Sequence, residues 1–275
     1  MKNVPLPLPL TWLQPVDFPH KLGICERLFG KALARHGICW VHTAAGIDWK
    51  LDLTVVPHRW IVYGKYEGAP FLNWARKFLP PNGIVVDSGA NIGQMLLYLA
   101  QWVPQGKVLA FEPGTKQANW LAECLAAHPT LSVELIRCAL GASTTRLRLA
   151  SCGSDSIHGW WARVSETEGE SIQIVRLEDE LSSRSIEKID LWKLDVEGYE
   201  ILAMQGAETL IKEKRIRAIY AELTNREGHG QAVRDYLNKL GYKCYLFDIN
   251  GKLYNPLEKP NFQFPWWTNG LFLPN

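Results

Sequence analysis

The stretch Ile84-Val85-Val86-Asp87-Ser88-Gly89-Ala90-Asn91-Ile92-Gly93 limits the fold of this chain more than any other. A short apolar run ends on a carboxylate, small residues follow, and from Ile92 the apolar spacing changes period. Ile92, Leu96, Leu99, Ala100 and Val103 share one helical face, so the segment reads as a buried strand over Ile84–Asp87, a tight corner, and a helix over Ile92–Val103.

The same unit recurs. Lys107–Glu112 reads as a strand and Lys116–Ala127 as a helix with Trp120, Leu121, Cys124 and Leu125 on its apolar side. Val133–Arg137 is a third strand and Ile189–Asp195 a fourth, followed by a helix over Tyr199–Lys212. Ile216–Glu222, Tyr242–Phe247 and Leu271–Leu273 complete the strands, with a helix over Gln231–Leu240 that closes at Gly241. Alternation of this kind predicts an α/β fold: a mostly parallel, seven-stranded sheet with helices on both faces. Strands at Arg146–Ala150 and Ile172–Leu177 interrupt it, and an inserted hairpin or loop is expected at about 142–177. Residues 1–80 read as an N-terminal α/β extension, either a cover for an acceptor site or an interface, before a main domain over 81–275. Within the extension a helix is expected around Cys25–His36, strand-like runs at Ile38–His42, Leu51–Val56 and Trp60–Tyr63, and a helix over Tyr66–Phe78 stopped by Pro80-Pro81.

Composition narrows the function. With 275 residues, 47% of them hydrophobic, the chain can bury a sizeable core. Its 30 basic and 28 acidic residues leave a net charge of +2, which is no electrostatic footprint for nucleic acid. None of the six cysteines forms a CxxC pair, which argues against a zinc knuckle or dithiol centre and for free thiols in a reducing compartment. No stretch has the length of a membrane span, and Pro5, Pro7 and Pro9 break the apolar N-terminus, so a soluble cytoplasmic protein is expected. The 12 tryptophans read mainly as packing. Nothing in the sequence specifies an oligomeric state.

In wound sheets ligands bind beyond the carboxyl ends of the strands, which singles out Asp87, Glu112 and Asp195. The corner is not the dinucleotide fingerprint: Asn91 stands where the second glycine would be, and Asp87 would repel a pyrophosphate. A carboxylate there favours an amino group or hydroxyls. Glu112, ending the next strand, can accept both hydroxyls of a ribose. A nucleoside with an ammonium and a sulfonium in place of phosphates meets these demands, and S-adenosylmethionine is that molecule.

At YGKYEG (63–68), VVDSGANIG (85–93), LAFEP (109–113), CALG (138–141) and above all IDLWKLDVEGYEILAMQGAETLI (189–211), the chain resembles the FkbM family of S-adenosylmethionine-dependent methyltransferases. The resemblance covers roughly residues 60–225, with a weaker echo in TNGLFLP (268–274). It implies a Rossmann-like class I methyltransferase fold, methylation of a small-molecule acceptor, commonly at a hydroxyl oxygen, and S-adenosylhomocysteine as product. Asp87, Gly89, Asn91 and Gly93 would line the methionine end of the cofactor and Glu112 its ribose. Cys138 and Ala139 would lie by the adenine, which backbone groups would then recognise. Ser88 departs from the common DVGANIG, a small change with little expected consequence.

The chemistry is expected at Lys193-Leu194-Asp195-Val196-Glu197-Gly198-Tyr199-Glu200. Asp195 should face the methyl group. Glu197 could orient the acceptor, accept its proton, or join Asp195 and Glu222 around a divalent cation; a metal requirement is left open. Glu200 is expected to cap a helix. His158, beside Trp160 and Trp161 in the insertion, is a candidate base, and His229 a second. Tyr66, Glu67, Trp266 and Trp267 either touch the ligands or pack. The reading is methyl transfer to a small molecule, a sugar or natural-product hydroxyl in first place. Its rivals are a nicotinamide-dependent oxidoreductase and a non-catalytic binding protein of the same fold.

Overall fold

The computed structural model describes residues 3–64, 69–151, 162–223, 228–248, 251–256 and 268–275. Helices α1 (Leu8–Leu13) and α2 (Lys21–Ala34) precede an antiparallel hairpin of β1 (Ile38–His42) and β2 (Asp48–Asp52), followed by α3 (Val56–Tyr63) and α4 (Ala69–Phe78). The run Trp60–Tyr63, expected as a strand, is instead the second half of α3. Its residues suit either element, and the ends decide. Pro57 sits in the first turn, where a missing N–H costs nothing, and Gly64 closes the helix in the left-handed conformation at φ 69°. The strand expected over Leu51–Val56 lies earlier, at β2. Asp52 Oδ1 accepts the Thr54 N–H (3.0 Å) and hydroxyl (2.6 Å), and this side-chain turn ends the strand.

From Ile84 the alternation is as expected. β3 (Ile84–Ser88), α5 (Leu96–Trp102), β4 (Lys107–Phe111), α6 (Thr115–Ala126) and β5 (Val133–Ile136) follow one another. An inserted sheet comes next, built of β6 (Ala139–Leu140), β7 (Thr145–Ser151), β8 (Ala162–Ser165) and β9 (Glu170–Val175) in the order β6-β9-β7-β8, and α7 (Leu177–Ser183) leaves it. β10 (Leu191–Leu194), α8 (Glu200–Gln205), α9 (Glu208–Lys212), β11 (Ile219–Glu222), α10 (His229–Lys239), β12 (Tyr242–Phe247), β13 (Leu253–Tyr254) and β14 (Asn269–Pro274) complete the chain.

The main sheet has the order β13-β12-β14-β11-β10-β3-β4-β5. Its five strands from β5 to β11 are parallel, while β14, β12 and the two-residue β13 pair antiparallel. This is the Rossmann-like arrangement implied by the resemblance, with one further short strand at the edge. The chain winds outward from β3 through β4 to β5, then restarts at β10 on the other side. The carboxyl ends of β3 and β10 therefore flank the switch point, where such sheets open a crevice.

One helix expected over Tyr199–Lys212 is two, α8 and α9. The break falls at Gly206, where a Cβ would overlap the Gly141 carbonyl oxygen. That close approach brings the helix pair against the root of the inserted sheet, and Glu178 N–H donates to Gly206 O across it (3.1 Å).

Alternate residues of the parallel strands feed two cores. Val85 and Val108 join Leu96, Leu121 and Phe71 on one face, in the same cluster as Leu10, Trp49 and Tyr63 of the N-terminal residues. Val86, Leu109 and Trp192 join Met204, Leu210 and Leu237 on the other. Phe71 of α4 stacks on Tyr220 of β11 with ring centroids 3.7 Å apart.

Ser88 has a larger part than its size suggested. Its hydroxyl accepts the Trp192 indole N–H at 2.8 Å, between fully buried side chains of adjacent strands. Ser88→Ala leaves that N–H without an acceptor and should cost about 1–3 kcal/mol. Urea unfolding of the two proteins, at unchanged cofactor-free secondary structure, measures it.

Candidate functional site

The corner after β3 is built by a close approach. Gly89 has φ 74°, and a Cβ on it would overlap the Asp195 carbonyl oxygen at the end of β10. Only glycine allows the two strand ends to meet so closely. Gly89 and Ala90 N–H both donate to Phe111 O, at 3.0 and 3.1 Å, and tie the corner to β4. Asn91 is left-handed at φ 49°, a conformation asparagine tolerates. The corner continues through Gly93, whose N–H donates to Ala90 O (2.8 Å), so α5 begins at Leu96 rather than at Ile92.

Asp87 is only 1% exposed and lies in register with Lys193 of β10. The Lys193 ammonium sits 3.2 Å from Asp87 Oδ1 and 3.5 Å from Asp195 Oδ2, and donates to Gly89 O at 2.8 Å. Sequence reasoning missed this lysine. The signal was there: a charged residue inside the apolar run Leu191-Trp192-Lys193-Leu194, buried on a central strand, requires an anionic partner. Apart from the Lys193 ammonium beside Oδ1, the buried oxygens of Asp87, like Asn91 Oδ1, meet no hydrogen-bond donor among the described residues. Buried acceptors with lone pairs to spare at one corner fit a ligand that brings N–H groups. Burial raises the Asp87 pKa, Lys193 opposes that rise, and Asp195 adds to it.

Glu112 follows β4 and is 6% exposed. Both of its oxygens already accept backbone N–H groups. Oε1 accepts Gly114 N–H and Oε2 accepts Asn91 N–H, each at 2.8 Å. Each oxygen keeps a second lone pair for a hydroxyl, and the two bonds hold the carboxyl in a fixed orientation. Burial pushes Glu112 up to about 7 against the pull of those bonds. Cys138 and Ala139, at the end of β5 and the start of β6, are buried as well. Burial pushes the Cys138 thiol up to about 12, so it stays protonated and brings no charge to the site.

Asp195 emerges from β10 with its side chain 37% exposed, and its N–H donates to Ser88 O at 3.2 Å. Glu197 follows at the left-handed φ of 56°, an uncommon state for a non-glycine residue. Glu200 explains what holds it there. Fully buried, Glu200 accepts Val196 N–H (2.9 Å) and Gly198 N–H (3.4 Å) on Oε1, so it caps the turn that leads into α8. Its Oε2 lies 2.6 Å from His229 Nε2 at the start of α10. The pair is 29 residues apart in sequence, and no local pattern announces it. His158, Tyr66, Glu67, Trp160, Trp161, Trp266 and Trp267 lie outside the described residues. Among the described residues no three His, Cys, Asp or Glu side chains converge on a common metal position. Glu222 is buried at the end of β11.

A separate cavity of about 450 Å³ lies along α5 from Gln94 to Trp102, and none of Asp87, Asn91, Glu112, Asp195 or Glu197 lines it. Ala44, Gly64, Arg76, Tyr98 and Trp102 line it, from the N-terminal residues, α4 and α5. No described helix is long and apolar enough to cross a membrane.

A methyltransferase FkbM domain matches residues 87–244, more than half of the chain, and takes in the Asp87–Gly93 corner, Glu112 and the β10 turn. The chain belongs to the FkbM methyltransferase family. Methyltransferase SdnD of Sordaria araneosa is 32% identical over 161 residues, which are 47% of this chain and 62% of that protein. Methyltransferase 1 of Beauveria bassiana is 25% identical over 214 residues, 70% of this chain and 82% of its own length. The AMB antimetabolite synthetase AmbE of Pseudomonas aeruginosa is 26% identical over 210 residues, 61% of this chain and 10% of that protein.

Two outcomes test the geometry of this FkbM domain. Gly89→Ala should both strain the backbone and push Asp195 from its place, costing about 1–3 kcal/mol from the backbone alone; thermal unfolding reads it. The His229 pKa is raised by its hydrogen bond to Glu200. Stability from that pair is therefore complete below the unfolded histidine value of about 6.5 and is lost as pH climbs through the elevated folded value. The stability gap between wild type and His229→Gln should narrow over that rise, measured by urea unfolding from pH 6 to 9; a constant gap would mean the pair does not titrate.

Proposed function

We propose that this FkbM protein transfers a methyl group from S-adenosylmethionine to a small-molecule acceptor, at a hydroxyl oxygen of a sugar or natural product. The observation that carries the reading is the buried corner of Asp87 and Asn91, whose acceptors, apart from the Lys193 ammonium, meet no donor among the described residues, one strand away from the fixed carboxyl of Glu112. A pyrophosphate-bearing dinucleotide would meet a buried carboxylate there, which weighs against the oxidoreductase reading. A similar stretch within an antimetabolite synthetase supports a small-molecule acceptor.

When bound, the cofactor supplies a methyl group on a positively charged sulfur. Asp87 and Asn91 accept N–H bonds from its amino group, and Gly89 and Gly93 keep the corner open for the close approach of its tail. Glu112 holds the ribose hydroxyls on its unused lone pairs. The backbone at Cys138 and Ala139 flanks the adenine. Asp195, on the exposed rim, takes the proton that the acceptor hydroxyl loses. Glu197, displayed on its left-handed turn, orients the acceptor, and His158 of the insertion is a further candidate for the proton.

Calorimetry with S-adenosylhomocysteine tests the cofactor. Wild type should bind it in preference to reduced nicotinamide dinucleotide. Glu112→Ala removes two hydrogen bonds, about 1 kcal/mol each, and should weaken binding at least tenfold. Unchanged affinity would remove the ribose assignment. In a screen of hydroxylated acceptors that follows S-adenosylhomocysteine release, Asp195→Asn should lower turnover by about 10²–10⁴ with little change in cofactor affinity, the loss expected of a missing base.

A further inference from the structure

We propose that Lys193 is a positioning residue that keeps Asp87 ionised while leaving lone pairs on its oxygens open, so that the corner receives a cationic amino group without first shedding a proton. The proposal rests on the reading that Asp87 meets the amino group of the cofactor.

Three acids surround this point. Asp87 comes from β3, Glu112 from the end of β4, and Asp195 from the end of β10. Asp87 and Glu112 are buried, at 1% and 6% exposure, and Asp195 is half-open to solvent. The turn from Ser88 to Met95 contributes no charged side chain. Among the described residues, the ion pairs of Asp87 and Asp195 are both made with Lys193. A carboxylate this deeply buried next to other acids takes up a proton unless a cation compensates it. Lys193 is that cation.

Its geometry supplies charge and takes up little hydrogen bonding. The ammonium is held by backbone oxygens, Gly89 O at 2.8 Å and Ser88 O at 3.4 Å, which take two of its three N–H groups and leave at most one for Asp87. At 3.2 Å it still delivers its full charge to the carboxylate. An arginine would occupy the oxygens with its planar fork, and a neutral donor would occupy them without supplying charge. The lysine engages Oδ1 from one side only, and the remaining lone pairs of Asp87 stay available to an incoming N–H.

Removing the charge makes binding proton-linked. Lys193→Met should leave Asp87 protonated near neutral pH, and a ligand ammonium must then displace that proton. Titration calorimetry with S-adenosylhomocysteine, in phosphate and in Tris from pH 6 to 8, counts protons per binding event. We expect Lys193→Met to release about one proton more than wild type and to lose affinity roughly tenfold for each pH unit of acidification, the slope of one linked proton. Lys193→Arg, which keeps the charge but fills the oxygens, should weaken binding without adding that proton. As a control, 5′-methylthioadenosine shares the nucleoside but lacks the amino acid tail, and should bind wild type and Lys193→Met alike. An unchanged proton count and pH profile in Lys193→Met would overturn the proposal.

Should Lys193→Met not fold, carboxyl carbon-13 resonances of wild type decide the matter. Asp87 should be ionised at pH 7, and a carboxyl still protonated there would overturn the role of Lys193. If wild type bound no S-adenosylhomocysteine at any pH, the cofactor reading would fail and this proposal with it. The carbon-13 titration reports on Lys193 alone and tells the two failures apart.

Discussion

A buried ammonium at the centre of a parallel sheet needs several partners, and those of Lys193 organise the site. It reaches across the switch point to Asp87, along its own strand to Asp195, and up to the carbonyl of Gly89. These are the ends of β3 and β10 and the corner between β3 and α5. The glycine lets the strands approach, and the lysine makes that approach electrostatically tolerable. Without a cation, the same backbone geometry would bring buried carboxylates together in a medium of low dielectric, where their repulsion is severe.

Around that centre, shorter polar links set the remaining groups. Glu112 bonds both its own turn at Gly114 and the corner at Asn91, so β4 and the corner share one carboxyl. Glu200 plays a comparable part on the other flank, between the β10 turn and His229. Each is a buried acid whose oxygens are divided between two chain segments. Rigid second supports of this kind hold a ligand-facing group to the accuracy that binding and proton transfer require.

Much of this was legible in the residues. The period change at Asp87–Gly93 located the corner, and the repeated strand–helix order located the acids that end successive strands. Those features are local, and local patterns report backbone geometry well. What escaped was set by ends or by distance. Trp60–Tyr63 became helix because Pro57 and Gly64 bound it, not because of its own side chains. The 199–212 helix broke at Gly206 because of a carbonyl on the inserted sheet, which no window around Gly206 contains. Lys193 with Asp87, Trp192 with Ser88, and His229 with Glu200 are partners only after the sheet has formed. The exposed Asp195 and its left-handed neighbour Glu197 were placed correctly at the rim, yet the reason Glu197 can hold that backbone lies in Glu200, three residues on.

The shared core of the N-terminal residues has a mechanical consequence. Leu10, Trp49 and Tyr63 belong to the same apolar cluster as Val85, Val108 and Leu271 of the sheet. Parting these residues from the sheet would wet the sheet's own interior, so Leu10, Trp49 and Tyr63 are bound into one cooperative unit with it and cannot loosen ahead of it.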